Sequence, residues 1–151
     1  MESRKHVRRP NPELREKVKA QIINLIENEN VTDFLVGEIG GFEKDAYDAV
    51  LDVFAHYPDI HITLVISKIS ELNEIGKDYS GYIVHKKFCH DWIYPDRCAS
   101  GYKRWSIVHR NRFIIENTDF IIAYNCYKGR AYKFCRTAER KGIPVIELAG
   151  G

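Results

Sequence analysis

The chain has 151 residues and 17.6 kDa, with 44% hydrophobic residues, 29% charged residues and a net charge of +2. These values indicate one globular domain with a substantial core, and the nearly balanced charge does not favour nucleic acid as the main partner. No apolar run approaches the roughly 20 residues that span a bilayer, and no secretory signal follows Met1. We therefore expect a cytoplasmic protein without a membrane partner, whose four cysteines are reduced thiols.

The first eleven residues are polar and basic, and we expect residues 1–11 to form an arm ahead of a single domain at 12–151. The basic residues of this arm are Arg4, Lys5, His6, Arg8 and Arg9. Two interpretations stay open: a solvated chain end, or an arm that reaches a phosphate or another anionic partner.

Apolar periodicity predicts alternating helices and strands along the rest of the chain. The predicted helices cover residues 12–30, 42–54, 102–117 and 129–141. The predicted strands cover residues 32–36, 60–66, 119–124 and 144–148. Residues 67–101 show no clean periodicity and predict an ordered, aromatic-rich loop. The alternation is typical of an α/β, Rossmann-like three-layer sandwich with a mostly parallel sheet, in which ligands bind where the strands end.

The first candidate binding feature is a glycine turn between the first predicted strand and the helix after it. Its site residues are Gly37, Glu38, Gly40, Gly41 and Phe42. Glycines permit a tight turn there, and the backbone N–H groups and the helix dipole would attract a phosphate. The spacing matches neither the dinucleotide fingerprint nor the P-loop, so a turn required only for folding remains an alternative.

The second feature lies on the helix that precedes the strand at 119–124. Ser106 and Arg110 are four residues apart and share one helix face, whereas Arg112 points elsewhere. Arginine offers a planar fork of donors for phosphate or carboxylate, and Asn111 would support it. The alternative is a solvated basic face.

The third feature is a second glycine turn with two cations, directly after the same strand. Its residues are Lys128, Gly129, Arg130, Ala131 and Tyr132. A plain strand-to-helix connection is the alternative. The cluster of His85, Cys89, His90 and Cys98 matches no spacing typical of structural zinc, so we predict no metal site.

Four blocks in order resemble the SLOG superfamily, and within it the YpsA-like branch: FLVGEIGGFEKDA, IYPD, HRNRFIIENTDFIIAY and GRAYKFCRTAERKGIPVIEL. The resemblance covers residues 14–148. It implies a Rossmann-like fold that binds nucleotide-derived ligands at the glycine turns. The superfamily includes Lonely Guy phosphoribohydrolases and ligand-sensing domains of bacterial defence that recognise ADP-ribose-like signals.

The chain departs from the hydrolase pattern where catalysis would require carboxylates. The hydrolases carry an Arg-Lys pair where Arg110-Asn111 stands, and a turn Pro-Gly-Gly-x-Gly-Thr-x-Glu-Glu where residues 128–135 hold no acid. A carboxylate would stabilise the cationic sugar and activate water, and only Glu43 or Asp45 could substitute. We therefore expect a sensor or sequestering protein for a nucleotide-derived small molecule, with no catalytic residue and no cofactor. The alternatives are a nucleotide N-glycosidase that releases a base, and a module with a vestigial pocket that interacts with a protein or a nucleic acid.

The start of the chain also departs from the relatives that it resembles. Those relatives begin with a strand that ends in Gly-His-Arg, and residues 1–9 contain no such strand. Either the strand is lost or another chain takes its role, and an exposed sheet edge favours pairing with a second subunit. We therefore expect a homo-oligomer.

Overall fold

The computed structural model describes residues 11–37, 41–67, 90–124 and 129–148. These residues form a mixed α/β arrangement that is compatible with a Rossmann-like fold. The helices are α1 Pro12–Glu29, α2 Gly41–Phe54, α3 Asp96–Ser100, α4 Ser106–Glu116 and α5 Gly129–Arg140, and a 3₁₀ turn at Lys103–Trp105 precedes α4. The strands are β1 Asp33–Gly37, β2 His61–Val65, β3 Asp91–Ile93, β4 Ile121–Tyr124 and β5 Val145–Leu148.

The first helix shows why most boundaries follow from local chemistry. The Asn11 side chain accepts a hydrogen bond from the Leu14 N–H at 3.2 Å, and Pro12 occupies the first helical position. The helix ends at Asn30, whose φ of 57° is left-handed. Gly142 ends α5 in the same way, with a φ of 82°. Each predicted helix and strand is present, with ends shifted by a few residues.

The strands form two small parallel sheets, where the sequence predicts one. The first sheet has the order β1-β2-β3, with Gly37 opposite Val65 and Thr63 opposite Asp91. The second sheet pairs β4 with β5, with Ile121 opposite Val145. Every observed strand pair is parallel, as predicted, but no pairing joins β1 to β4 among the described residues.

Two core clusters hold the elements together. In the first core cluster, α1 and α2 pack on β1 and β2, with one residue from β5. Its buried residues are Leu14, Val18, Ile22, Val36, Tyr47, Ala49, Val50, Val53, Ile60, Ile62, Leu64 and Leu148. The second core cluster joins α4, β4 and α5 through Ile115, Ile121, Ala123, Cys135 and Ala138.

The strands β4 and β5 contribute to both clusters because strand side chains alternate between two faces. Ile122, Tyr124, Ile146 and Leu148 belong to or pack on the first core cluster. Ile121, Ala123 and Val145 belong to or pack on the second core cluster. The second sheet is therefore covered on both faces.

The stretch predicted as an irregular loop contains two regular elements, so that prediction was wrong at its end. Strand β3 and helix α3 lie in residues 90–100, and residues 68–89 are outside the described part. Strand β3 is only three residues long, which is too short to show alternation. No helix among the described residues is both long and apolar enough to cross a bilayer.

Candidate functional site

The candidate site is a large cavity that we call the inter-strand cavity, because every residue of β1 and β4 lines it. Its volume is about 1020 Å³. Helices α1, α2, α4 and α5 supply the other walls, mostly with apolar side chains such as Ile22, Val50 and Ile114. Consecutive residues of both strands line the cavity, so it extends along the whole of β1 and β4.

A ring contact brings the start of α2, which follows β1, close to the carboxyl end of β4. The Phe42 ring, in the first turn of α2, stacks on the Tyr124 ring at the end of β4. The ring centroids are 5.9 Å apart and the planes differ by 13°. Gly37, the buried last residue of β1, lines the same cavity.

Among the described residues that line the cavity, Arg110 carries the positive charge. Its side chain is only 8% exposed. The guanidinium Nε and Nη2 donate hydrogen bonds to Asn111 Oδ1 at 3.4 and 3.2 Å, and Asn111 also lines the cavity. A charge removed from water requires polar partners, so this burial excludes the simple solvated face that the sequence left open.

Ser106 lies one turn before Arg110 and is also buried, but it does not line the cavity. Its carbonyl oxygen accepts a weak hydrogen bond from Cys98 Sγ at 3.4 Å, which joins α3 to α4. Its Oγ and His109 Nδ1 are buried without a hydrogen-bond partner among the described residues. Ser106 therefore contributes to packing between α3 and α4 and does not contact the cavity.

The connection from α3 to α4 is tightly packed at Gly101. A Cβ placed there would lie 2.7 Å from the Arg97 carbonyl oxygen and 2.9 Å from His109 Nε2. Both distances are shorter than a carbon atom tolerates, so only glycine fits without movement. The Gly101 backbone therefore lies close to His109 on α4.

The predicted site residues have different positions in the structure. Gly37, Phe42, Arg110, Asn111 and Ala131 line the inter-strand cavity. Arg112 and Tyr132 are exposed and do not line it, so their predicted contact with a ligand in this cavity is not supported. Gly41 begins α2, and Gly129 and Arg130 begin α5. Glu38, Gly40 and Lys128 lie outside the described residues.

No protein-family model, curated protein or solved structure matches the chain. Its relationship to SLOG proteins therefore stays a prediction.

Asp45 does not line the cavity, and its carboxylate is hydrogen-bonded to the backbone. It is 1% exposed, and its two carboxylate oxygens accept from the Asn11 N–H at 3.2 and 3.3 Å. This contact ties the start of α1 to α2, which gives Asp45 a structural role. The side chain of Glu43, the other acid considered, is outside the described part. The described residues contain no group of three His, Cys, Asp or Glu side chains that could hold a metal ion.

Sequence reasoning missed the apolar walls of the cavity and the acids at its far end. Ile107, Ile114 and Phe134 follow helical periodicity, which predicts burial but cannot distinguish a packed core from a cavity wall. The acidic lining residues are Glu29, Asp33 and Asp119. They stand where α1 ends and where β1 and β4 begin, opposite the carboxyl ends. Their spacing along the chain gives no signal that they would line one cavity.

Proposed function

We propose that this protein binds a nucleotide-derived anionic small molecule, ADP-ribose-like or a nucleoside phosphate, and does not turn it over. The supporting observation is one buried cation, Arg110, in the wall of a cavity that also reaches Gly37 and Phe42. Sensing and sequestering a ligand use the same contacts, and both fit this proposal.

The chemistry of the cavity suits a ligand with an anionic part and a planar part. A guanidinium in a water-poor wall forms strong, charge-assisted hydrogen bonds with phosphate oxygens. Asn111 limits the rotation of that guanidinium by accepting from two of its nitrogens. The stacked Phe42 and Tyr124 rings offer an aromatic surface for a base. A volume of about 1020 Å³ is sufficient for a dinucleotide-sized ligand.

Binding without cleavage is favoured by the positions of the acids. N-glycosidic cleavage needs a carboxylate beside the bond that breaks. Asp45 accepts the Asn11 N–H, and the lining acids Glu29, Asp33 and Asp119 lie at the amino ends of the strands. Among the described residues, the cavity lining therefore contains no carboxylate at the carboxyl ends that Gly37 and Tyr124 mark.

We also propose a fold, an oligomeric state and a cellular location for this protein. A Rossmann-like three-layer sandwich of SLOG type accounts for a second sheet covered on both faces. The resemblance to SLOG proteins and the first strand missing from residues 1–9 support a homo-oligomer, and we propose that it is cytoplasmic.

Calorimetric titration with ADP-ribose, NAD and AMP tests the binding proposal. We expect Arg110→Ala to weaken binding roughly 10- to 150-fold, the equivalent of about 1.5–3 kcal/mol for hydrogen bonds to a charged group. Arg112→Ala is the matched control, because Arg112 is on the same helix but exposed and outside the cavity lining. Arg110→Met keeps the aliphatic stem and separates lost charge from lost packing.

Three outcomes would contradict the proposal. The wild-type chain fails to bind any of these compounds, or Arg110→Ala and Arg112→Ala bind equally well. Free base that accumulates in proportion to protein concentration, measured by chromatography, would overturn binding without turnover.

A further inference from the structure

The outer side of α4 and of the 3₁₀ turn before it carries a row of aromatic and basic side chains. In the turn, the Trp105 N–H donates to the Tyr102 carbonyl oxygen at 2.9 Å. Residues three apart in a 3₁₀ turn eclipse each other, so both side chains leave the backbone on one side, about 6 Å apart along the axis. Val108 and Arg112 continue the same side along α4, since they follow Trp105 by three and seven residues.

Solvent reaches every side chain of this row. The exposed fractions are 78% for Tyr102, 47% for Trp105 and 42% for Val108. Arg112 is also exposed, and the exposed Arg104 guanidinium lies 5.3 Å from the Trp105 ring centroid. Single exposed apolar side chains are ordinary, but three in one row with two arginines have the composition of a binding surface. We call these five residues the aromatic–arginine row.

The charge around the aromatic–arginine row is positive and unbalanced. Residues 97–115 contain five of the 23 lysines and arginines and none of the 21 acids, an excess that the net charge of +2 conceals. Arg104 and Arg112 form no ion pair with the part of the chain that the structure describes. Glu116 follows Arg112 by one helical turn and does not pair with it. Exposed cations without an acidic partner attract an anionic molecule.

The longer stretches of this chain outside the described part do not supply that anion. Residues 1–10 contain four lysines and arginines and one acid. Residues 68–89 contain four lysines and three acids. Like charges that face each other across a contact are costly. Charge complementarity therefore favours a separate, anionic molecule as the occupant of the row.

The composition and size of the row fit a single-stranded nucleic acid better than an acidic protein. A stable protein interface buries about 800 Å² on each partner around an apolar centre, whereas this row offers Val108 as its aliphatic side chain. Single-stranded nucleic acids need less area, because unpaired bases stack on aromatic rings and phosphates bind the arginines beside them. Bases inside a duplex are already stacked on each other, so exposed rings favour single strands.

We propose that the aromatic–arginine row binds single-stranded RNA or DNA. Two successive bases stack on Tyr102 and Trp105, and Arg104 and Arg112 bind the flanking phosphates. No residue of the row lines the inter-strand cavity, so this surface is separate from the proposed small-molecule site and does not depend on it.

Titration of the full chain with fluorescently labelled oligothymidylate and oligouridylate of about 12 nucleotides, followed by anisotropy, is the direct test. We expect binding at about 50 mM salt that weakens steeply towards about 200 mM, and weaker binding of a duplex of equal length. No binding of either single strand, or equal binding of single strand and duplex, overturns the proposal. Binding that does not change with salt overturns it as well.

Substitutions of the two rings test stacking. Tyr102→Ala and Trp105→Ala should each weaken binding roughly 5- to 150-fold, the usual effect of removing one stacking ring, whereas Trp105→Phe should retain most of the affinity. Tyr132→Ala is the matched control, because Tyr132 is also exposed beside an arginine, Arg136, but that arginine pairs with two glutamates. Equal effects of Trp105→Ala and Tyr132→Ala overturn the assignment.

Substitution of Arg112 tests the phosphate contact. Arg112→Ala should reduce the slope of log affinity against log salt by about 0.7, the contribution of one phosphate on a single strand. Arg140→Ala is the matched control, since Arg140 is exposed on α5 and outside the row. Equal slopes for the two variants and the wild type overturn the phosphate contact that the proposal requires.

Three competition and assembly measurements identify other occupants or another site. Displacement of the single strand by oligoglutamate at the same concentration assigns the row to acidic polypeptides and overturns the proposal. A dimer in sedimentation experiments that Trp105→Ala dissociates, with oligonucleotide binding only to that variant, assigns the row to a second copy and also overturns it. Displacement by excess ADP-ribose places the oligonucleotide in the inter-strand cavity, with the same consequence. ADP-ribose binding without oligonucleotide binding contradicts this inference alone.

Discussion

The Tyr57 hydroxyl donates a hydrogen bond to the Glu27 carboxylate, which links the turn after α2 to α1. That hydrogen bond is the main reason that the pKa of Tyr57 is raised above its ordinary value, with smaller contributions from desolvation and from the charge of Glu27. The protonated phenol is therefore favoured in the folded state. A raised pKa contributes stability below the unfolded value of about 10, and that stability is lost as the pH rises through the folded value.

We predict that Tyr57→Phe destabilises the protein at neutral pH and that the difference from wild type disappears at strongly alkaline pH. Urea unfolding at a series of pH values, followed by circular dichroism, measures the difference. Tyr102→Phe is the control, since Tyr102 is 78% exposed. If the difference in unfolding free energy between wild type and Tyr57→Phe stays constant through the alkaline range, the hydrogen bond from the Tyr57 hydroxyl is not its cause.

At the level of single residues, the sequence predicted which side chains of α4 share a face but not which of them are buried. Helical spacing correctly predicts that Ser106 and Arg110 share a face and that Arg112 does not. It could not predict that the shared face is buried, because burial depends on contacts with other elements, such as the hydrogen bond from Cys98 on α3 to the Ser106 carbonyl. The position of Asp45 near the start of α2 made it a candidate acid, but its hydrogen bond to Asn11 joins residues 34 positions apart, which local sequence does not indicate.

At the scale of one element, α1 has a capping residue with two separable roles. The Asn11 side chain accepts from the Leu14 N–H, and the Asn11 backbone N–H donates to Asp45. A substitution at this position removes only the first contact. We predict that Asn11→Ala lowers the free energy of unfolding by ~1 kcal/mol and that Asn11→Ser restores most of it.

Chemical denaturation of the three proteins checks this prediction. A loss well above about 2 kcal/mol for Asn11→Ala would mean that the backbone contact with Asp45 is lost as well. Equal losses in the alanine and serine variants would show that capping is not the cause.

The long helices were predictable, whereas the short elements β3 and α3 were not. Helices α1 and α2 contain several turns of apolar residues at helical spacing, and their ends coincide with Asn11-Pro12 and the turn before Pro58. Strand β3 has three residues, Asp91–Ile93, and depends on pairing with β2 for its conformation. When a segment becomes a strand only by pairing with a distant strand, its own sequence does not predict that conformation.

At the scale of the whole molecule, β4 and β5 connect the two core clusters through their two faces. A strand buried on both faces couples the packing on either side, so the clusters should unfold together. We predict that Leu64→Ala in the first core cluster and Ile115→Ala in the second each lower the stability of one common transition by about 2–5 kcal/mol.

Urea unfolding monitored by circular dichroism and by methyl signals in nuclear magnetic resonance tests this coupling. Val108→Ala, at a partly exposed position on α4, should change stability by no more than about 0.5 kcal/mol. Two separate transitions, with only one shifted by each variant, would show that β4 and β5 do not couple the clusters.

The division into two sheets is the property of the whole molecule that sequence could not predict. Alternating helices and strands predict parallel pairing, and each observed pair is parallel. They do not predict which strands become neighbours. The apolar residues of β1 and β4 are the same whether the strands are adjacent or separated by a cavity. Only the assembled helices define the width of the gap.

The position of Trp105 gives the protein an intrinsic optical signal near the proposed binding site. Its indole is 47% exposed, and the Arg104 guanidinium lies 5.3 Å from the ring centroid. Trp105 directly precedes α4, about one turn before Arg110. The chain has only one other tryptophan, Trp92 in β3. In a Trp92→Phe variant, the fluorescence emission maximum and the quenching of Trp105 alone therefore report conformational changes at the start of α4, and no attached dye is needed.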